Sequence, residues 1–394
     1  MIQSNTTVFP KQTVTMADWL PVAVVLIFML FLLWTLAFSI AGLTMFAVSG
    51  AVRIAESAPA QEQEYINIPA LPATEYFTEA VAASEAPAPA EKRLTPITVN
   101  AVGDCMLATG LGRPYENSFE YHIQTLQKPY EYFFANVRDI FFAGDINIAN
   151  GENAFTHHDA PRDKSSHGDR VFWFKSDPDY ANIYVEAGIN AVNVANNHTR
   201  DFGEKGLQDT FEALEEVGVQ PFGFGRIAYM EVKGYTIALM GYSLVSRLVT
   251  ETQMNEAARA VKDDLALAAE TADIMIVSFH WGEEYAPEPS PLQECLAQLT
   301  IDHGAHLVLG HHSHCLQRVE VYQERLIAYS LGNFVFGGSL SPPKETLILR
   351  QTFFMDDESR QPHHIEYELI EAETYGGNGK NNFQPVLGRP SAVQ

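Results

Sequence analysis

The sequence predicts an α/β fold, and three observations carry that expectation. From Pro96 onward, short β-rich runs alternate with helix-like stretches, the pattern of strands crossing over through helices. After Gly310 the helices stop and strand-like runs follow one another closely, which predicts a second, more antiparallel sheet. The residues able to do chemistry fall just after the apolar runs, where sites form in α/β sheets.

In chain order, residues 1–18 form a short amino-terminal tail, and an uncharged run follows between Asp18 and Arg53. About 20 apolar residues suffice to cross a bilayer, so residues 19–52 are expected to be a single transmembrane anchor. "APA" at Ala58–Ala60 resembles a signal-peptidase site, but cleavable signals carry apolar regions of only ~7–15 residues. Lys11 and Arg53 sit on opposite sides of the run, so charge does not fix its orientation. Residues 53–95, rich in Ala, Pro and Glu, cannot bury enough apolar surface to order themselves and read as a linker.

The folded domain is expected over 96–371. Its candidate strands are "ITVNAVGD", "INAVNVANN", "YTIALMGYS", "DIMIVSFHWG" and "HLVLGHH", then "RVEVY", "RLIAYS", "TLILRQTFF" and "IEYELI". Its candidate helices are "PYEYFFANVRDI", "DPDYANIYVEAG", "GEKGLQDTFEALEEVG", "NEAARAVKDDLALAAETA" and "SPLQECLAQLTIDHG". In the third helix Leu207, Phe211 and Leu214 recur at helical spacing and Gly218 stops the run. "AGDINIANGENAF" reads as a polar loop bearing Asp145, Asn150 and Glu152, and residues 372–394 as a flexible carboxyl-terminal tail.

Composition narrows the function. The 394 residues carry a formal charge of −24, which excludes a nucleic-acid binder built on clustered Lys and Arg. Cys105, Cys295 and Cys315 show neither metal-finger spacing nor the density of a disulfide scaffold. Cys105 and Cys315 flank candidate ligands, and read as small packed residues more readily than as soft ligands or a pair. The chain has no nucleophile elbow, no H-E-x-x-H and no phosphate-binding loop.

What remains is a set of carboxylates, amides and imidazoles at strand ends. Asp104 closes "VNAVGD"; Asn196, Asn197 and His198 close "NAVNVANNH"; His280 closes "IMIVSFH"; and His311, His312 and His314 follow "HLVLG". His312 and His314 form an H-x-H pair whose imidazoles suit Zn, Fe, Mn or Ni. With Asp104 and Glu152 as oxygen ligands, the mixed set fits a hydrolytic divalent site of one or two ions. A histidine outside the ligand set could protonate a leaving group. Asp201 caps the helix that follows "ANNHTRDFG" or supports the site, and His157, His158 and His167 belong to a polar loop.

The ordered motifs "GDCML", "GDINIANGEN", "NVANNHTRDFGEKGLQDT", "HWGEEY", "DHGAHLVLGHHSHCLQRVEVY" and "IAYSLGNFVF" resemble the CapA (PgsA-like) family of capsule and poly-γ-glutamate synthesis proteins, within the calcineurin-like metallophosphoesterase superfamily. The resemblance implies a four-layer α/β/β/α sandwich with its metal site at the strand ends, and a domain held outside the cytoplasm by an amino-terminal membrane anchor. It implies Asp104, Glu152, Asn197, His280, His312 and His314 as metal ligands and His198 as proton donor. Asn150, Asp201 and His311 would support them. The superfamily's D-x-H becomes Asp104-Cys105-Met106 here, which removes one histidine. His306 stands where the family has Asp, and Ser313 where it has Pro.

Two functions are therefore expected. One is a membrane-anchored, metal-dependent hydrolase acting on a phosphate-type substrate or on a linkage of an anionic cell-surface polymer. The other is a non-catalytic accessory subunit of a membrane-bound synthesis or export complex, with a structural or vestigial metal site. A polyanion would need bridging cations to approach so acidic a protein.

Overall fold

The structure is a computed structural model that describes residues 93–388, apart from 117, 128–129, 166–170, 246–250 and 377–378. The expected anchor (19–52) and nearly all of the expected linker lie outside the described residues. No described helix is long and apolar enough to cross a membrane.

The strands are β1 (Leu94–Met106), β2 (Ile146–Gly151), the short pair β3 (Ala154–Phe155) and β4 (Lys175–Ser176), β5 (Ala191–Asn193), β6 (Gln220–Phe222), β7 (Ala228–Val232) and β8 (Tyr235–Leu244). Then come β9 (Ile274–Trp281), β10 (Leu307–His311), β11 (Val319–Tyr322), β12 (Arg325–Ala328), β13 (Asn333–Phe336), β14 (Glu345–Asp356), β15 (Pro362–Glu373) and β16 (Val386–Leu387). The helices are α1 (Phe119–Thr125), α2 (Arg138–Phe142), α3 (Asn182–Ala187), α4 (Gly203–Glu216), α5 (Glu251–Ala268) and α6 (Pro291–Asp302).

Two mixed sheets result. The first runs β16-β15-β14-β1-β2-β5-β6, with β13 parallel to the end of β1; the second runs β11-β12-β10-β9-β8-β7. Alternate side chains of one strand serve different cores. Ile274 and Ile276 of β9 join Val99, Ile148, Ile237, Leu309, Leu326 and Leu349 between the sheets. Met275, Val277, Phe279 and Trp281 of the same strand pack against Val261 and Leu265 of α5 and Leu296 of α6. On the far face of the first sheet, Val192 and Phe334 pack against Phe119, Phe141, Tyr184 and Leu214. Strands buried on both faces read as unbroken apolar runs, which is why β9 and β10 are plain in the sequence.

Local chemistry fixes the ends of these elements. Ser290 and Gln293 form a reciprocal capping box at the start of α6, with Pro291 in its first turn. Gly218, at a φ of 82°, stops the chain after α4. Gly103 and Gly310 serve another need, close approach of strands. A Cβ on Gly103 would lie 2.0 Å from the Gly332 carbonyl oxygen, and one on Gly310 1.9 Å from that of Tyr329. The next residue after each is Asp104 or His311, so these two contacts seat two residues of the site.

Three expectations need correction. The "DINIANG" segment is no loop: β2 is buried throughout, between β1 and β5. Its asparagines are satisfied by other amides, as where Asn147 accepts from Asn100 at 2.7 Å, and such pairing leaves no apolar periodicity. Asp145, at the opposite end of β2 from Glu152, accepts from the Thr98 amide at 2.8 Å and pairs with Lys233 at 2.7 Å. The strand-only run does not form one sheet. β11 and β12 complete the second sheet, whereas β13 to β16 return to the first.

The described residues between 372 and 388 are not a loose tail either. Phe383 is buried against Phe119 and His122, with ring centroids 5.3 and 5.4 Å away. Asn381 donates to the Phe336 carbonyl at 2.7 Å, and β16 pairs with β15. Buried Phe383, with Tyr375 buried eight residues before it, anchors this polar segment, and its Gly, Asn and Pro content hid that. Phe383→Ala is expected to cost about 3–5 kcal/mol of stability, as a buried aromatic truncation does. Urea unfolding measures it, and an unchanged midpoint would mean the segment contributes nothing.

Candidate metal centre

The carboxyl-terminal ends of strands from both sheets meet at one place. Asp104 comes from β1, Asn150 and Glu152 from the end of β2, and Asn197 and His198 from the turn after β5. His280 comes from β9, and His311, His312 and His314 from β10 and the turn beyond it. Parallel pairing sets Asp104 opposite Asn150, and His280 opposite His311. His312 and His314 have φ angles of 89° and 55°. Such left-handed backbone costs residues with a Cβ about 1–3 kcal/mol and is kept where surrounding structure imposes it. It folds both imidazoles back over the strand end.

The hydrogen bonds define the cluster. Asp104 Oδ1 accepts from Asn150 Nδ2 at 2.8 Å, and Oδ2 lies 3.1 Å from His314 Nδ1. His280 Nε2 is 2.9 Å from Asn197 Oδ1 and 3.3 Å from Glu152 Oε1, while its Nδ1 faces Asn150 Nδ2 at 3.1 Å. Glu152 Oε2 lies 3.9 Å from His314 Nδ1. His311 Nδ1 is 3.8 Å from Asp104 Oδ1, beside the ligand set rather than within it. Asp104, Glu152, His280 and His311 are fully buried.

Several buried donor atoms have no hydrogen-bond partner: both Glu152 oxygens, both His311 nitrogens and His312 Nδ1. A buried polar group without a partner costs about 1–3 kcal/mol, and more if charged. That cost is relieved when a cation takes the lone pairs, so the donors present fit a divalent ion. They form two groups whose ligand atoms lie within 4.8 Å of one another: Glu152, His280 and His312, and Asp104, Glu152 and His314. Glu152 belongs to both. Two oxygens on one carboxylate, each beside a different group, is what a bridging ligand requires.

The charges agree. Burial would raise Asp104, but the hydrogen bond and charge of His314, then His280 and His311, hold its carboxyl well below the usual range. Burial, then the Asp104 charge, pushes Glu152 up to about 8. Burial lowers His280 to about 3 and His311 to about 4, so both imidazoles are neutral, the state His280 needs as a ligand. Burial also lowers His314, but Glu152 and Asp104 outweigh it and raise the group to about 9. Glu152 and His314 titrate as a coupled pair, so at pH 7 the metal-free cluster holds at least one proton that an ion must displace. Metal binding is expected to release about one proton from this pair, and to tighten as pH rises toward about 9. Calorimetry in buffers of different ionisation enthalpy measures the release; affinity flat between pH 6 and 9 would refute it.

His198 stands apart from both groups. Its Nδ1 is 2.9 Å from Asp201 Oδ2, and its ring meets Phe174 edge-to-face at 4.7 Å. Asp201 is fully buried, accepts from the Phe174 amide at 2.8 Å and pairs with Lys164. With Nδ1 committed to Asp201, Nε2 is the nitrogen left to move a proton. Asp201 thus holds His198 rather than merely capping a helix; no side-chain cap bond is made at the start of α4.

Asn193 and Asn333 escaped the sequence reading, which placed Asn196 at a strand end without a role. Asn193 donates to Asn150 Oδ1 at 2.9 Å and so turns the Asn150 amide toward Asp104. Asn196 accepts from the His198 and Thr199 amides and shapes the turn that presents Asn197 and His198. Asn333 contacts His314 through both ends of its amide. "NVANN" and "SLGNFVF" contained them, but an asparagine carries no spacing rule that marks it for a site. The cysteines are all free. Cys105 is buried in the helix-side core, with its thiol pushed up to about 12, and Cys315 donates to the Ala286 carbonyl at 3.2 Å; neither belongs to a ligand group. His157 and His158 are exposed, and His167 lies outside the described residues.

Met106, two residues after Asp104, packs with Ala108, Phe174 and Phe336. Phe174 and Phe336 in turn touch His198 and His314, with centroids 4.7 and 5.0 Å apart. An apolar platform therefore stands beside both histidines.

Residues 98–338 match the family described as bacterial capsule synthesis protein PGA_cap. The chain belongs to the PGA_cap family. Among relatives, the capsule biosynthesis protein CapA of Bacillus anthracis is 31% identical over 68% of this chain and 66% of its own. The PGA biosynthesis protein CapA of Bacillus subtilis (strain 168) is 30% identical over 64% of this chain and 67% of its own. The PGA_cap chain thus spans about two thirds of the length of these relatives. A solved structure described as a novel phosphatase from Mycoplasma pneumoniae has a TM-score of 0.42 and 13% identity, over 71% of this chain and 95% of that one. A likeness of that degree decides nothing about chemistry.

Proposed function

We propose that this PGA_cap protein is a metal-dependent hydrolase-type component of capsule or poly-γ-glutamate synthesis, built as a four-layer α/β/β/α sandwich. One observation carries the reading: Glu152 is shared by two groups of buried ligand atoms, and neither of its oxygens accepts a hydrogen bond. Asp104, Glu152, Asn197, His280, His312 and His314 would hold one or two divalent ions such as Mn, Zn or Fe. A bound ion supplies Lewis acidity and activates water near neutral pH. His198, fixed by Asp201, donates a proton to the leaving group. The substrate is a phosphate ester, or an amide or ester linkage in an anionic surface polymer.

In this reading residues 19–52 anchor the chain in the membrane, the domain lies outside the cytoplasm, and membrane-bound polymer synthase or export subunits are its partners. Protease protection of the domain in intact cells, with exposure only after lysis, would reverse that orientation. Catalysis is tested on the purified full chain by metal analysis and by hydrolysis of an aryl phosphate and of peptidoglycan-like amides. Bound metal with turnover supports the hydrolase; a folded sample that binds no metal under metal-replete conditions refutes it.

The apolar packing of Met106 favours a second reading, a non-catalytic accessory subunit with a structural metal site. Metal without turnover on either substrate class would select it. A relative from Mycobacterium tuberculosis, 28% identical over 41% of this chain and 49% of its own, is itself described as a probable polyglutamine synthesis accessory protein.

A further inference from the structure

Besides Asn150, which faces both, each ligand group has one asparagine amide oxygen beside one of its imidazoles, and only one of those two residues belongs to the expected ligand set. Beside Glu152, His280 and His312 stands Asn197, with Oδ1 2.9 Å from His280 Nε2. Beside Asp104, Glu152 and His314 stands Asn333, with Oδ1 3.0 Å from His314 Nδ1. Asn333 opens β13, is 1% exposed, and lies opposite Asp104 in the parallel pairing of β1 with β13. Its amide orientation is fixed, because Nδ2 donates to the His314 carbonyl at 3.1 Å and so turns Oδ1 toward the cluster.

The spacings suit coordination. Two donors on one ion, each bonded at about 2.1 Å and at right angles, lie about 3 Å apart. His314 Nδ1 has two oxygens near that separation, Asp104 Oδ2 at 3.1 Å and Asn333 Oδ1 at 3.0 Å. Two carboxylates and one imidazole leave a hard divalent cation short of the roughly six donors it prefers. A neutral amide oxygen adds a donor without adding charge to a buried cluster that already holds two carboxyl groups. Met106, two residues beyond Asp104, is packed in its apolar cluster and does not belong to either group.

We propose that Asn333 is a metal ligand: its Oδ1 joins Asp104, Glu152 and His314 in holding a second divalent cation, the counterpart of Asn197 at the first. The inference rests on the metal-dependent reading above and extends it to a residue outside the expected ligand set. The competing role is positional, in which Asn333 only orients His314.

Asn333→Ala and Asn333→Asp separate the two roles, because they move in opposite directions. Aspartate cannot donate to the His314 carbonyl, but it does offer oxygen to a cation. Mn²⁺ or Co²⁺ stoichiometry and affinity are measured on the full chain by equilibrium dialysis, with the Co²⁺ absorption spectrum reporting coordination. A ligand role predicts that Asn333→Ala weakens the second ion at least tenfold, while Asn333→Asp holds it as tightly as wild type or more so. Asn333→Asp binding as weakly as Asn333→Ala overturns the proposal, as does an unchanged Asn333→Ala. Circular dichroism confines the comparison to folded protein, and if Asn333→Ala does not fold, Asn333→Asp against wild type decides by the same rule. A wild type that takes up no ion removes the metal-dependent reading itself; two ions indifferent to both variants remove only this inference.

Discussion

Replacing Glu152 with alanine is expected to empty both candidate ion positions at once. Glu152 belongs to each ligand group, and neither of its oxygens accepts a hydrogen bond. Its removal leaves His280 and His312 with Asn197 on one side, and Asp104 and His314 with Asn333 on the other. The first position then has no carboxylate and the second only one, and neutral donors alone hold a divalent ion against water far less well. Loss of supporting groups around a metal typically costs 10–100-fold in affinity, so loss of a shared ligand is expected to exceed about 100-fold. The fold should survive, since the substitution also removes a buried carboxyl that has no hydrogen-bond partner. Metal analysis after desalting, with thermal unfolding in the presence and absence of Mn²⁺, reads both quantities. Retention of wild-type metal content by Glu152→Ala would show that the two groups do not share an ion-binding residue.

The second large effect falls on catalysis alone. His198 belongs to neither ligand group, and its Nδ1 is tied to Asp201 at 2.9 Å. His198→Ala is therefore expected to keep wild-type metal content while turnover falls about 10²–10⁴-fold, the usual worth of a positioned general acid. The loss should depend on the leaving group. An alkyl or phenyl ester, whose departing oxygen needs a proton, should suffer most, whereas a nitrophenyl ester should lose much less. Asp201→Asn should show a weaker form of the same pattern, because it disturbs the orientation of His198 without removing it. Equal losses for good and poor leaving groups would assign His198 to substrate binding instead.

Much of this is legible in the sequence. Strands such as β9 and β10, buried on both faces, announce themselves as unbroken apolar runs. The polar residues that follow them have to lie at strand ends, so apolar patterning alone picks out Asp104, His280 and the histidines from 311 to 314. Periodicity cannot find β2, because half of "INIANG" is polar or glycine and its asparagines are satisfied by amides from distant strands. The packing of Phe383 is equally hidden, since two aromatics eight residues apart in a polar segment, Tyr375 and Phe383, set no period.

The sequence alone determined the α/β alternation, the acidic character and the kinds of donor available at each strand end. Only the tertiary structure decided that Glu152 sits between two groups, that Asn193 and Asn333 complete the amide network, and that Met106 turns to an apolar platform. The physical reason is one of range. Backbone propensity and hydrophobic patterning act over a few residues, whereas Asp104 and His314 meet across 210 positions, through sheet register and close strand approach at glycine.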